Sequence, residues 1–205
     1  MSASIPTKED QMQQQILSAA KRLFQQYGLT KVTMDDVAKA IGKGRSSLYY
    51  YYKSKDEIFD AVLATEIREM IAAMAHAVDK AAGIEQKLHA FSLTKIEVIR
   101  EKRAFFKMLD AGMDADAFSN FQKAKITLHN LIVRQESDLL EQVLIHSISN
   151  GELRKLSASE LETLIMVLLS SLRGLKRELE LENDPGKIAP AVNMFTNMII
   201  HGLKH

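Results

Sequence analysis

The sequence predicts an all-α protein, and three observations lead to this prediction. Apolar residues recur at spacings of three and four along most of the 205-residue chain, which is the period of an amphipathic helix. Only three prolines and nine glycines interrupt the pattern. Short polar residues that can cap a helix precede several of the periodic segments. We therefore expect about nine helices and no strands, arranged as an N-terminal three-helix domain and a C-terminal helical bundle.

The first three helices are predicted within residues 1–54, which form the first domain. Thr7 is placed to cap a helix that runs from about residue 8 to residue 27. The second helix is predicted over 33–42 and the third over 45–52. Two short helices around a glycine-containing turn, behind a longer first helix, are typical of a helix-turn-helix domain.

The second domain is predicted over residues 55–205. Ser54 is followed three residues later by Glu57, a spacing that favours a capping box and opens a long fourth helix reaching about Ala81. The remaining helices are predicted over 84–109, with a break near Arg103, and over 116–149, 157–182 and 185–203. Ser157 and Glu160 form a second capping box at the start of the third of these, and Asp184 caps the last.

Charge is distributed unevenly although the whole chain carries only +1. Residues 1–55 hold nine Lys and Arg against four Asp and Glu, so this part carries +5 and the rest carries −4. A basic N-terminal quarter on a mildly acidic body is typical of a protein that contacts a polyanion with that quarter only.

Several classes of site are not expected. The chain has no cysteine, which excludes disulfides, thiol catalysis and cysteine-bound metals. Its six histidines show no metal-ligand spacing, and no P-loop, nucleophile elbow or dinucleotide fingerprint is present. We therefore expect no metal, no cofactor and no enzymatic activity.

The sequence also carries no signal for membrane insertion or export. Its first residues lack the apolar core of a signal peptide, and the longest apolar run, 164–169, is too short to cross a bilayer. We expect a cytoplasmic protein without a membrane partner.

Residues 33–52 carry the chemistry that points to DNA. The second helix of a helix-turn-helix enters the major groove with its N-terminus first, so donor-bearing side chains there can reach base edges. Lys43, Arg45, Ser46 and Ser47 meet this requirement. The apolar residues Val37, Ala38, Ile41, Leu48 and Tyr52 would hold the two helices to the rest of the domain.

The flanks of this motif add candidates for phosphate contacts. Thr33 and Ser54 begin helices whose unpaired N–H groups can face an anion, and Lys55 adds a full charge. Tyr49 and Tyr50 are placed to lie against sugar or to donate a hydroxyl group to phosphate.

Residues 16–63 resemble the N-terminal domain of the tetracycline-repressor family. The resemblance is carried by AAKRLFQQYG in the first helix, TMDDVAKAIG in the second, and LYYYYKSKDEIF across the third and fourth. The chain differs from the usual family residues at Lys43, Gly44 and Ser46. The residues that the resemblance and the helix-turn-helix pattern together assign to DNA are Thr33, Lys43, Gly44, Arg45, Ser46, Ser47, Tyr49, Tyr50 and Lys55.

The resemblance further implies a homodimer that binds a palindrome in double-stranded DNA as a repressor and leaves it when a small molecule binds. An alternative is a helix-turn-helix protein that is regulated through protein partners without sensing a small molecule. A body with no cavity would favour that alternative.

Two further sites are expected in the body. The last two helices are predicted to form a four-helix dimer interface through Leu168, Leu172, Leu175, Val192, Phe195 and Ile199. A ligand pocket among the middle helices would be lined by Phe91, Phe105, Phe106, Met108, Met113, Phe118, Phe121 and Met166. Packed core remains the alternative interpretation for each of these pocket residues.

Overall fold

The computed structural model describes residues 7–103, 115–182 and 184–204, and within 115–127 it describes the backbone and the side chain of Ile126. This part of the chain contains eight α-helices, one 3-10 turn and no strand. The helices are α1 (Lys8–Tyr27), α2 (Met34–Ala40), α3 (Arg45–Tyr51), α4 (Lys55–Lys80), α5 (Gly83–Glu101), α6 (Ala115–Ser149), α7 (Ala158–Glu182) and α8 (Ile188–Leu203). The all-α prediction is confirmed, and the helix count is close to the nine expected.

Local capping chemistry determines where several helices begin. Thr7 and Thr33 each accept a hydrogen bond from the backbone N–H three residues on, and the carboxylates of Asp10 and Asp36 accept one in return. The predicted caps of α1 and α2 are thus confirmed. The last helix differs, because Pro185–Lys187 forms a 3-10 turn before α8 begins at Ile188.

The described residues form two compact units. The N-terminal unit contains those up to Arg68 and those between Lys102 and Asn120. It extends beyond the predicted boundary at residue 54, because Ile58, Phe59 and Val62 of α4 are buried in it. The rings of Phe24 and Phe59 meet edge to face at a centroid distance of 5.9 Å, which joins α1 to α4.

The C-terminal unit contains the remaining described residues, Glu69–Glu101 and those from Phe121 onward. Its apolar core is built from α4, α5, α6, α7 and α8, with Phe91, Leu140, Leu168 and Val192 among the most buried side chains. Helix α5 packs against α7 and α8.

Candidate nucleic-acid interface

The turn between α2 and α3 is closed by backbone hydrogen bonds. Gly42 lies in the left-handed region at φ 66°, which a residue with a side chain rarely adopts. Its N–H donates to the Lys39 carbonyl at 3.1 Å, and the N–H of Lys43 donates to the Ala38 carbonyl at 3.0 Å. This Schellman arrangement satisfies the end of α2 and turns the chain sharply into α3.

Helix α3 has a buried side and an exposed side. Leu48 and Tyr52 are buried, and burial raises the pKa of the Tyr52 phenol above its usual value. All nine predicted DNA-contacting residues except Lys55 are exposed: Thr33, Lys43, Gly44, Arg45, Ser46, Ser47, Tyr49 and Tyr50. The structure therefore places most of the predicted set on α3 and the turn before it, with Thr33 at the start of α2 and Lys55 at the start of α4. No side chain caps α3, so its first N–H groups remain available.

The guanidinium group of Arg45 is held by two neighbours. Its Nη2 donates to the Tyr49 hydroxyl at 3.2 Å, and its Nε lies 3.3 Å from Oδ1 of Asp35 in α2. The charged carbon also lies over the Tyr49 ring, 5.5 Å from its centroid. The hydrogen bond to Tyr49 and the charge of Asp35 raise the pKa of Arg45 above its usual value. Arg45 is thus oriented at the start of α3 by a hydrogen bond and an ion pair while its side chain stays exposed.

Asp35 is a residue of this surface that the sequence did not reveal. It stands in the first turn of α2, where a carboxylate is explained by the helix dipole alone. Its contact with Arg45 spans the turn between the two helices, and no spacing rule for a single helix predicts such a pair.

The two exposed tyrosines have different surroundings. Tyr49 is engaged with Arg45, whereas Tyr50 is 75% exposed and its ring meets that of Tyr51 edge to face at 5.0 Å. Tyr50 therefore presents both a ring and a hydroxyl group at the surface.

Lys55 is half-buried, whereas a lysine that only contacts phosphate would be exposed. Its Nζ donates to the Leu29 carbonyl at 2.9 Å and lies 3.4 Å from that of Thr30, so it ties the start of α4 to the loop after α1. Ser54 caps α4 as predicted, by accepting from the N–H of Glu57 at 3.1 Å. The Glu57 carboxylate returns to the N–H of Lys53 rather than to that of Ser54. Lys55 consequently has a structural role beside any role toward DNA.

The N-terminal unit also holds an ion-paired triad that the sequence did not reveal. Glu66 of α4 is buried and bonded to Lys21 of α1 and to Lys102, whose Nζ lies 2.7 Å from Oε2. Burial alone would raise the pKa of Glu66, but the two lysines outweigh burial and hold that pKa below its usual value. Lys21, which by its sequence could be a solvated charge, therefore ties α1 to α4.

Three of the six predicted dimer residues need correction. Leu168, Leu172 and Val192 are fully buried within the core of the single chain, because they lie on the faces of α7 and α8 that pack inward. Leu175, Phe195 and Ile199 are half-buried against the same core. The exposed apolar residues of these two helices are instead Met166, Val167, Leu181, Met194 and Met198.

Of the eight residues predicted to line the pocket, only Phe91 and Met166 have side chains that the structure describes. Phe91 is fully buried in the C-terminal core, but Met166 is 59% exposed because it lies on the outer face of α7, so the two do not share a lining. Phe105, Phe106, Met108 and Met113, and the side chains of Phe118 and Phe121, lie outside the described residues.

The described residues were also compared with the requirements of a metal site and of a membrane-spanning helix. Among these residues, no group of three or more His, Cys, Asp or Glu side chains is arranged to hold a metal ion. Within the same residues, no helix is both long enough and apolar enough to cross a membrane.

Comparison with known proteins finds similarity to bacterial regulators. Residues 16–62 match the family model described as "Bacterial regulatory proteins, tetR family". The HTH-type transcriptional regulator SrpR of Pseudomonas putida is 26% identical over 184 residues, covering 87% of this chain and 79% of that protein. The regulator YhgD of Bacillus subtilis is 24% identical over 128 residues, or 62% of this chain, and the match spans only 63% of its own length.

A solved structure supports the same fold over nearly the whole chain. The SmeT–triclosan complex superposes with a TM-score of 0.61 at 16% identity, covering 95% of this chain and 92% of that one. At this level of identity the likeness concerns the arrangement of helices.

Proposed function

The chain belongs to the tetR family of bacterial regulatory proteins, and we propose that it acts as a ligand-responsive repressor that binds a palindromic operator as a homodimer. It is accordingly a transcriptional regulator and not an enzyme. The observation that carries the proposal is the two-sided α3: Leu48 anchors the helix, while Arg45, Ser46 and Ser47 are exposed at its N-terminal end.

This arrangement suits the reading of bases in a major groove. The N-terminal turn of a recognition helix approaches the base edges, where an arginine can donate two hydrogen bonds to guanine and a serine can bond to any base. Thr33, Lys43, Tyr49, Tyr50 and Lys55 would position the helix through sugar and phosphate.

The proposed dimer uses the exposed apolar residues of α7 and α8. Met166, Met194 and Met198 are each more than half exposed, which is unusual for three large apolar side chains on two helices. A second copy related by a two-fold axis would cover them with its own α7 and α8. Two recognition helices would then address two half-sites of a palindrome.

The proposed response to a small molecule is supported by one similar protein. One of the similar solved structures is a complex of SmeT with triclosan, which is a small molecule. For this chain we propose that ligand binding shifts an existing equilibrium between arrangements of the two recognition helices and so lowers operator affinity.

Selection of bound sequences from random duplex DNA by the purified full chain tests this function. We expect enrichment of a palindrome with two half-sites about one helical turn apart, and an affinity that falls steeply with salt. The absence of any enriched sequence would overturn the proposed operator binding. Enrichment of an isolated half-site would overturn the proposed dimer.

A further inference from the structure

The C-terminal unit contains a buried polar cluster that DNA binding does not explain. We define the Lys95 cluster as Ser92 and Lys95 of α5, Glu136 of α6 and Arg173 of α7. Lys95 and Glu136 are 3% and 0% exposed and form a direct ion pair. Lysine and glutamate are almost never fully buried unless they are paired, as these two are.

The hydrogen-bonding capacity of this cluster is incompletely used. Among the described residues, no hydrogen-bond partner is present for Oε2 of Glu136, Oγ of Ser92 or Nη1 of Arg173, and all three atoms are buried. The other terminal nitrogen of Arg173 donates to Ser170 Oγ at 2.8 Å. A buried donor or acceptor without a partner costs about 1–3 kcal/mol. Oγ of Ser92 and Nη1 of Arg173 are donors that an anionic guest could accept from, whereas Oε2 of Glu136 is an acceptor that such a guest would leave without a donor.

The charges of the cluster do not balance. It contains two cations, Lys95 and Arg173, and one carboxylate, that of Glu136, while the nearby Lys176 is paired with Glu180 at 3.4 Å. Burial lowers the pKa of Lys95 and is opposed by Glu136, while the positive charges of Arg173 and Lys176 lower it further. A single negative charge added beside Lys95 and Arg173 would neutralise the set.

The ion pair is not explained by stability. Removing two charges from water costs several kcal/mol for each ion, and well-packed apolar residues often replace a buried pair without loss of stability. Buried apolar residues lie beside the members of the cluster along each helix: Phe91 and Ile96 on α5, Leu140 on α6 and Leu172 on α7. The same unit also buries Nε2 of His89 and Oγ of Ser147 without a hydrogen-bond partner among the described residues. An amphipathic guest therefore matches the cluster better than an inorganic ion does.

We propose that the Lys95 cluster binds the carboxylate of a small, mainly apolar monocarboxylic acid, with Lys95 and Arg173 as its cationic partners. The inference rests on the ligand-responsive function proposed above and names the class of its effector. The apolar part of the acid would pack against the side chains that surround Phe91.

Isothermal titration of the full chain with three eight-carbon probes tests the chemical class. Octanoate carries the negative charge, 1-octanol is neutral, and octylammonium is positive. We expect saturable binding of octanoate, binding of octanol that is at least about tenfold weaker, and no binding of octylammonium. Equal binding of octanoate and octanol, or no saturable binding of octanoate, would overturn the proposal.

Substitutions locate the site. Lys95→Met and Arg173→Met should each weaken octanoate binding by at least about tenfold, whereas Lys155→Met, which removes an exposed lysine of the same unit, should leave it unchanged. Because Lys95→Met leaves Glu136 unpaired, the double variant Lys95→Met/Glu136→Leu provides a folded comparison, and it should keep the thermal stability of the wild type and lose octanoate binding. Octanoate binding that survives in the double variant would overturn the assignment.

DNA binding is measured on the same proteins to keep the two proposals separate. Operator binding by wild-type protein that does not bind octanoate would refute the carboxylate site and leave the regulator intact. If octanoate binds in a way that depends on the Lys95 cluster but no operator is selected, the regulator function would be refuted and the carboxylate site would stand. Octanoate should lower operator affinity in the wild type and in Lys155→Met, but not in the double variant.

Discussion

Arg45, the first residue of α3, is joined across the helix-turn-helix to Asp35 in the first turn of α2, with Nε and Oδ1 3.3 Å apart. The side chain predicted to contact a base is therefore already paired with a carboxylate in the free protein. DNA must compete with Asp35 for the guanidinium group, and the contact with Tyr49 remains as a second tether.

The first prediction concerns Asp35→Asn. The substitution removes a negative charge beside the DNA-facing surface and releases Nε of Arg45, so affinity for all duplexes should rise by about two- to fivefold at low salt. Fluorescence anisotropy with specific and random duplexes over a range of salt measures the effect. Asp60→Asn, which removes one charge from the same unit away from Arg45, is the control. If DNA affinity rises equally in both variants, the effect comes from net charge and not from the release of Arg45.

The second prediction concerns Arg45→Ala. If Arg45 makes a bidentate contact with a base, its loss should weaken operator binding roughly tenfold to hundredfold and relax the preference at one position in each half-site. Competition assays with operators mutated singly at each position provide the readout. Equal weakening on every sequence would reassign Arg45 to phosphate.

The third prediction concerns Lys55→Ala. Loss of the hydrogen bonds to Leu29 and Thr30 should reduce the free energy of unfolding by about 1 kcal/mol, and loss of the charge should lower the salt slope of DNA binding by about 1. Chemical denaturation and salt-dependent anisotropy separate the two roles. Lys53→Ala is the neighbouring control, since it should alter the salt slope at most. Unchanged stability of Lys55→Ala would show that the carbonyl contacts do not stabilise the unit.

The fourth prediction concerns pH and Glu66. Because its folded pKa lies below the ordinary value of 4.5, the stabilisation by Lys21 and Lys102 is fully present above that value and is lost as pH falls through the folded pKa. At pH 7, Glu66→Gln should lower the free energy of unfolding by about 2–3 kcal/mol. The loss is smaller than for a fully buried ion pair because the side chain of Lys21 is one third exposed.

Thermal unfolding of both proteins from pH 7 down to pH 3 tests this. The difference in midpoint between wild type and Glu66→Gln should be largest at neutral pH and should shrink below about pH 4.5, while other carboxylates affect both proteins alike. A difference that stays constant over this range would refute the assigned pKa direction.

The fifth prediction concerns the proposed dimer surface. Met194→Glu/Met198→Glu places two charges on the exposed face of α8 and should yield a monomer that binds the operator at least about a hundredfold more weakly. Analytical ultracentrifugation gives the oligomeric state. Ile145→Glu, at an exposed apolar position on α6, should remain dimeric. A dimer that persists in the double variant would place the interface elsewhere.

The success of the sequence-based predictions depended on the distance along the chain between interacting groups. The pairs Thr33 with Asp36 and Ser157 with Glu160 are three residues apart, and such local hydrogen bonds are determined by residue type and helical geometry. The Gly42 turn and the buried Leu48 follow from the same local rules. For this reason the helix-turn-helix could be located from residue types and their spacing alone.

Contacts between distant segments could not be located in this way. Lys55 reaches a carbonyl 26 residues earlier, Lys21 pairs with a residue 45 positions later, and Lys95 with one 41 positions later. Each of these lysines is compatible with a solvated surface when the sequence is considered alone. In α7 and α8 the apolar content exceeds one stripe, so periodicity did not distinguish Leu168, which is buried, from Met166, which is exposed.

The sequence by itself determined the helical class, the caps, the helix-turn-helix and its resemblance to the tetR family, because these depend on residue type at short spacing. Only the tertiary structure decided which charges are paired, which apolar face of α7 and α8 is left uncovered, and that Lys95 and Glu136 form a buried ion pair. The physical reason is that burial and ion pairing are set by how helices pack together, and one helix does not encode the neighbours that surround it.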